Sequence, residues 1–350
     1  IGMRVDVVLR YVGVVMLFIA GFMLLSAGIS CLNGVDSAFY PLLLSALLTT
    51  LLGAFPLIFV GKRDQITNKE GFCIVVGSWL LSCVVGMFPY QNPSLLVIDV
   101  EALPRGLQFW RFSTTWIGGM GVVMFALVVL PTMGRSKMTL SNVELSSLAK
   151  DNYRYRTQVI VHILLVVYVG LTALSTVMLR LAGMNWFDSL CHAMSACATS
   201  GFSTKNASMA FYNNAWIDTV LIFTMGVAGM HFGLIYATVT GKRNNIFRSE
   251  VTRWYMGILL VCSVLIAISL YAADIYPTIT ASFRHAAFQF FSLMTTTGFA
   301  SADSSVWPPF AVILLMFGSI VCACAGSTTG GMKTNRLVLA MKMMRTRLRQ

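Results

Sequence analysis

Two stretches of this sequence place hydroxyl side chains and glycine inside apolar surroundings. Met294-Thr295-Thr296-Thr297-Gly298-Phe299-Ala300-Ser301 lies between an apolar run at 283–293 and a long apolar span beginning at Trp307. Cys197-Ala198-Thr199-Ser200-Gly201-Phe202-Ser203-Thr204 lies 97 positions upstream. Gly201 matches Gly298, Phe202 matches Phe299, Thr199 matches Thr296 and Ser195 matches Ser292. The chemistry open to such a stretch is cation binding, because a Thr-Gly segment after a short helix can present a row of carbonyl oxygens to a bare ion. One copy alone is read more simply, with Gly298 as the left-handed residue that ends a helix. A second copy at a fixed offset argues instead for a repeated structural unit. The candidate ligands are Ala198, Thr199, Ser200 and Gly201 in one copy, and Thr295, Thr296, Thr297 and Gly298 in the other.

The elements that must position these stretches are membrane helices. The chain has 350 residues, 57% hydrophobic and 11% charged, against about 25% charged in soluble domains. Apolar stretches of about 20 residues recur, which predicts an all-α polytopic membrane protein. Spans are expected at 10–32, 38–60, 71–90, 107–133, 158–181, 217–240, 254–273 and 307–344. The runs at 186–196 and 283–293 are too short to cross and predict re-entrant helices leading into the two Thr/Ser-Gly bends. Each unit reads as span, short helix, bend, span, giving about eight spanning and two re-entrant helices. Irregular backbone at membrane depth is tolerated only where it is buried in protein or lines water.

Charge agrees with this layout. With the N-terminus inside, Arg105, Arg111, Arg180, Lys205 and Arg284 fall on the outer side and the other twenty Lys and Arg on the inner side. The net charge of +12 is spread between spans rather than clustered on one soluble domain, so no nucleic-acid partner is expected. The eight cysteines form no CxxC pair and the four histidines no metal-binding spacing, so no covalent cofactor or metal centre is expected. All thirteen acidic residues lie at span ends or in loops, which leaves a membrane-embedded enzyme as a weak alternative. No cleavable leader is evident.

Glycine-methionine pairs recur at Gly119-Met120, Gly229-Met230 and Gly331-Met332. Close helix packing accounts for the glycines around Gly118. The third pair differs: 28 positions separate Gly201 from Gly229, but 33 separate Gly298 from Gly331. The extra five residues fall where Gly326, Ser327, Thr328, Thr329 and Gly330 sit, just before Gly331, a run that argues for an unwound loop within the span. Below a filter such a loop can obstruct conduction; the alternative is a plain flexible break. Lys333 and Arg336 follow it, and either snorkel to the inner interface or project into the cavity.

Taken together, Thr115-Trp116-Ile117-Gly118-Gly119-Met120-Gly121, Thr199-Ser200-Gly201-Phe202-Ser203, Thr296-Thr297-Gly298-Phe299 and Cys324-Ala325-Gly326-Ser327-Thr328-Thr329-Gly330-Gly331-Met332-Lys333 resemble the Trk/Ktr/HKT superfamily of cation transporters, most closely its bacterial TrkH type. The last run is the most specific. The resemblance implies potassium uptake at the bacterial inner membrane, with the ion at Thr199, Ser200, Thr296 and Thr297. It also implies a homodimer in membrane lipid, a cytoplasmic nucleotide-binding ring of the TrkA type as partner, and an intramembrane gate at 326–333. On that pattern residues 1–64 are an N-terminal two-helix hairpin, 65–140 a first repeat, 141–243 a second repeat with its filter at 199–203, and 244–350 a third with its filter at 295–301. Only thirteen positions separate Tyr90 from Pro104, too few for a first re-entrant helix and filter, and a fourth repeat is absent. An incomplete, non-conducting transporter is therefore an alternative at the same family level.

Overall fold

The computed structural model describes residues 4–61, 68–90, 99–129, 157–241 and 246–347. These residues fall into two compact units, one made of those up to 129 with 157–161 and the other of those from 162 onward.

In the first unit, α1 (Val5–Leu32) and α2 (Phe39–Phe59) form an antiparallel hairpin. A Cβ added at Gly13 would lie 2.5 Å from the Gly53 carbonyl oxygen, and one at Gly53 would lie 2.8 Å from that of Gly13. Backbones approach this closely in lipid because packing, not water exclusion, holds the helices together. The turn at Gly34 (φ +96°) is braced by Asp36, whose Oδ1 accepts from the Ala38 amide at 3.1 Å. Next come α3 (Asn68–Gly86) and α4 (Arg105–Val129). Trp110 of α4 is fully buried and donates to the Gly86 carbonyl at 3.3 Å. Glu70, in the first turn of α3, is buried and partnered: Arg4 grips it through Nε at 2.7 Å and Nη2 at 2.9 Å. The Arg4 guanidinium is held above its ordinary pKa by the hydrogen bonds it donates to this carboxylate. Met120 and Gly121, the end of the expected 107–133 span, the start of the expected 158–181 span and most of the interval between Tyr90 and Pro104 lie outside the residues whose side chains are described.

The second unit contains α5 (Thr157–Leu181) from residue 162 onward, α6 (Trp186–Cys197), α7 (Ala215–Ala228), α8 (Phe232–Val239), α9 (Glu250–Ala272), α10 (Ile279–Met294), α11 (Pro309–Ile320) and α12 (Thr334–Arg347). Among the described residues, α1, α2, 163–181 of α5, and α9 are long and apolar enough to cross a membrane. The pair α7 and α8 passes together, bent by 104°. The short α6 and α10 are buried along most of their length, as re-entrant helices enclosed by protein must be.

Two spans differ from expectation. The sixth, expected as one helix over 217–240, is broken at Gly229-Met230-His231 because its backbone groups are spent elsewhere. Gly226 O accepts from Tyr255 Oη at 3.1 Å, Gly229 O accepts from the Cys324 amide at 3.0 Å, and the Met230 amide turns back to Val227 O at 2.9 Å. His231 then restarts the helix, its Nδ1 accepting from the Gly233 amide at 3.0 Å. The eighth span is interrupted over 321–333, not only at 326–331. Strand β1 (Val321–Cys322) pairs in parallel with β2 (Met332–Lys333) and pinches the loop between them. Thr334 seals the neck, its Oγ1 donating to Cys322 O at 2.7 Å and its amide to Ala323 O at 3.2 Å.

Candidate cation-binding site

Both re-entrant helices open on a side-chain cap. Asn185 accepts from the Asp188 amide at 2.8 Å, and Thr278 from the Ala281 amide at 3.2 Å. Both close on the same backbone figure. The Thr199 amide donates to Ala196 O at 3.2 Å and the Ser200 amide to Ser195 O at 3.0 Å. At the matching positions, Thr296 donates to Leu293 O at 3.0 Å and Thr297 to Ser292 O at 2.8 Å. The dihedrals repeat as well: φ is +52° at Thr199 and +68° at Gly201, +55° at Thr296 and +86° at Gly298. A left-handed residue costs roughly 1–2 kcal/mol unless it is glycine, so two threonines held there mark a backbone shape imposed by its surroundings.

The amides of the bends are thus spent on the helix ends. Among the described residues, the carbonyls of Thr199, Ser200, Gly201 and of 295–298 accept no hydrogen bond. Both helices also direct the negative end of their dipole at the bends. Unpaired carbonyl oxygens at the negative ends of two helices are suited to a cation and hostile to an anion. The bends sit side by side: a Cβ on Gly201 would overlap the Thr297 carbonyl oxygen and lie 2.8 Å from the Gly298 carbonyl carbon. The limbs that follow the bends are joined too, the Ala210 amide donating to Ala300 O at 3.1 Å and the Ala300 amide to Ser208 Oγ at 3.3 Å.

A family model described as "TrkH: Cation transport protein" matches residues 90–350. The chain belongs to the TrkH family. It is similar to the Trk system potassium uptake protein TrkH of Salmonella typhimurium, at 29% identity over 97% of this chain and 75% of that protein. It is also 29% identical to the protein of the same name from Escherichia coli, over 80% of this chain and 63% of that one. The crystal structure of the potassium transporter TrkH from Vibrio parahaemolyticus superposes with a TM-score of 0.85 at 26% identity, covering 99% of this chain and 76% of that chain. The TrkH family is one of cation transporters embedded in membranes, not of enzymes.

In this TrkH-family chain the 323–331 loop lies directly under both bends. Thr328 Oγ1 donates to Cys197 O at 3.0 Å, and Thr199 Oγ1 donates to Thr328 O at 3.2 Å. The Gly330 amide donates to Thr296 Oγ1 at 2.9 Å. Ser327 Oγ donates to Cys324 O at 2.7 Å and so accepts from Thr329 Oγ1 at 2.7 Å, and Lys333 Nζ donates to both the carbonyl and hydroxyl oxygens of Thr329. Arg336, grouped with Lys333 on sequence, sits exposed on α12. The loop is also tied to the break in the sixth span, the Phe232 amide donating to Gly326 O at 3.2 Å. That tie was not foreseen. Its signal was present in Gly229-Met230-His231, a glycine and a histidine within an otherwise apolar run.

Proposed function

We propose that this protein carries potassium into the cell across the bacterial inner membrane. The ion exchanges part of its hydration shell for the carbonyl oxygens of Ala198, Thr199, Ser200 and Gly201, and of Thr295, Thr296, Thr297 and Gly298. The observation that carries this reading is the pair of matched bends, side by side, with carbonyls that accept no hydrogen bond among the described residues, apart from that of Ala198, which accepts from Thr199 Oγ1 at 2.8 Å. The names of the relatives support potassium as the ion. The loop at Gly326, Ser327, Thr328, Thr329, Gly330 and Gly331 is the gate: the Thr328 hydroxyl holds the inner end of the first bend and the Gly330 amide that of the second, so conduction needs both to let go. Lys333 steadies the gate through Thr329. Flow is passive along the electrochemical gradient.

The N-terminus is cytoplasmic, as the distribution of Lys and Arg favours. The repeats run over 65–140, 141–243 and 244–350 behind a hairpin at 1–64. In the cell the protein works as a homodimer with a cytoplasmic nucleotide-binding ring of the TrkA type, within a Trk system like those its relatives are named for.

The test is rubidium or potassium flux through liposomes holding the 350-residue chain, with sodium as competitor. Saturable flux that prefers potassium, and loses the preference in Gly201→Val, supports the reading. A chain that binds no potassium and passes no ion sinks it.

A further inference from the structure

The two re-entrant helices fasten their bends in different ways at equivalent positions. His192, in α6, is 0% exposed. Its Nδ1 lies 2.7 Å from the Asp188 carbonyl oxygen, which can only accept, so Nδ1 carries the proton. Nε2 of the neutral ring is then an acceptor, and Ser203 Oγ donates to it at 2.9 Å. With its proton so used, Ser203 Oγ accepts from the Lys205 amide at 3.0 Å. The helix is thereby tied, through one hydroxyl, to the backbone at position 205 on the limb that follows the first bend.

Ninety-seven positions on, the counterparts are Gln289, Ala300 and Ala302. Alanine offers no hydroxyl to relay the contact. Gln289 spans the gap itself, Nε2 donating to the Ala302 carbonyl at 2.5 Å. A shorter peg with a relay in one repeat and a direct peg in the other reach the same backbone position. His192 does more, because its ring also lies against the other bend. Its centroid is 6.0 Å from that of Phe299, the residue after Gly298, and it meets Tyr212 edge-on at 5.7 Å. Tyr212 in turn donates to Asp188 Oδ2 at 2.9 Å, which closes the frame.

We infer that His192, through Ser203, and Gln289 are specificity-determining positioning residues: they hold the limbs that follow the two bends at the spacing that favours potassium over sodium. This rests on the filter reading above. Neither residue touches the ion. A limb released from its peg lets the carbonyls close around a smaller ion or spread around its hydration shell, so discrimination falls before transport does.

The test is competition of sodium against potassium for rubidium uptake in liposomes, on the full chain and its variants. Ser203→Ala removes the relay and leaves the histidine and its packing alone. It is expected to lower potassium-over-sodium preference by about five- to tenfold, the loss set by one buried hydrogen bond. His192→Leu should lower it similarly, and the double variant by no more than either, because both cut the same link. His192→Gln, which supplies the amide that the third repeat uses, should restore most of the preference. Unchanged preference in Ser203→Ala and His192→Leu overturns the pegs and leaves the filter reading standing. A wild-type chain with no preference for potassium overturns the filter reading and the pegs with it. If His192→Leu fails to fold, Ser203→Ala decides alone.

Discussion

Gly201 lies against the Thr297 carbonyl oxygen so closely that no side chain fits between them. The same test at its counterpart Gly298 meets nothing within 4 Å. Two glycines that are interchangeable on sequence are therefore unequal in space. Both need a positive φ, but only at Gly201 would a side chain be driven into the other bend.

This inequality predicts unequal variants. Gly298→Ala should cost about 1–2 kcal/mol of backbone strain and leave measurable potassium uptake. Gly201→Ala carries the same strain and must also displace the neighbouring carbonyl, so it should abolish selective uptake. Side-by-side flux measurements decide, and equal effects would show that the bends do not touch.

Thr328 is bonded in both directions to the first bend, accepting from Thr199 and donating to Cys197 O. Thr328→Val keeps the shape of the side chain and removes its donor. With a hydrogen bond contributing about 1 kcal/mol, the open loop should be favoured roughly fivefold and potassium flux should rise accordingly. A fall in flux would mean that the hydroxyl serves the ion and not the closed loop.

Arg284 on α10 and Asp218 on α7 form a 2.6 Å ion pair in which the aspartate is 1% exposed. Arg284→Met strands that carboxylate and should destabilise the fold by about 3 kcal/mol. The double change Arg284→Met with Asp218→Leu should recover most of the loss, because no charge is then left buried. Thermal unfolding of the three variants in detergent provides the measurement.

Replacing potassium with choline should lower the unfolding temperature of the wild-type chain. An ion at a hundredfold excess over its dissociation constant stabilises by about 2.7 kcal/mol, a shift of several degrees. Gly201→Val should unfold at one temperature in both salts. A potassium effect surviving in that variant would move the binding site elsewhere.

Much of the site was legible because it is local. The two bends announce themselves by hydroxyls and glycine in apolar sequence, and the helices before them by being too short to cross. The inserted residues before Gly331 betrayed the loop by an offset in count. His192 and Gln289 were not legible. A buried histidine on a helix reads as packing until the hydroxyl that completes its hydrogen bonds is seen folded back onto it from eleven residues away. The break at Gly229 escaped for a related reason: nothing in an apolar run states that Tyr255 and Cys324 will claim its carbonyls.

Composition and spacing alone determined that the chain is a bundle of membrane helices with two matched turn segments, since burial in lipid requires long apolar runs and a repeat needs only comparison of the chain with itself. Tertiary structure alone decided that the two turns meet, that the loop reaches both, and that one expected span is two helices. Each of those depends on which distant donor finds which carbonyl. Such pairings are set by packing between elements dozens of residues apart, and no local pattern encodes them.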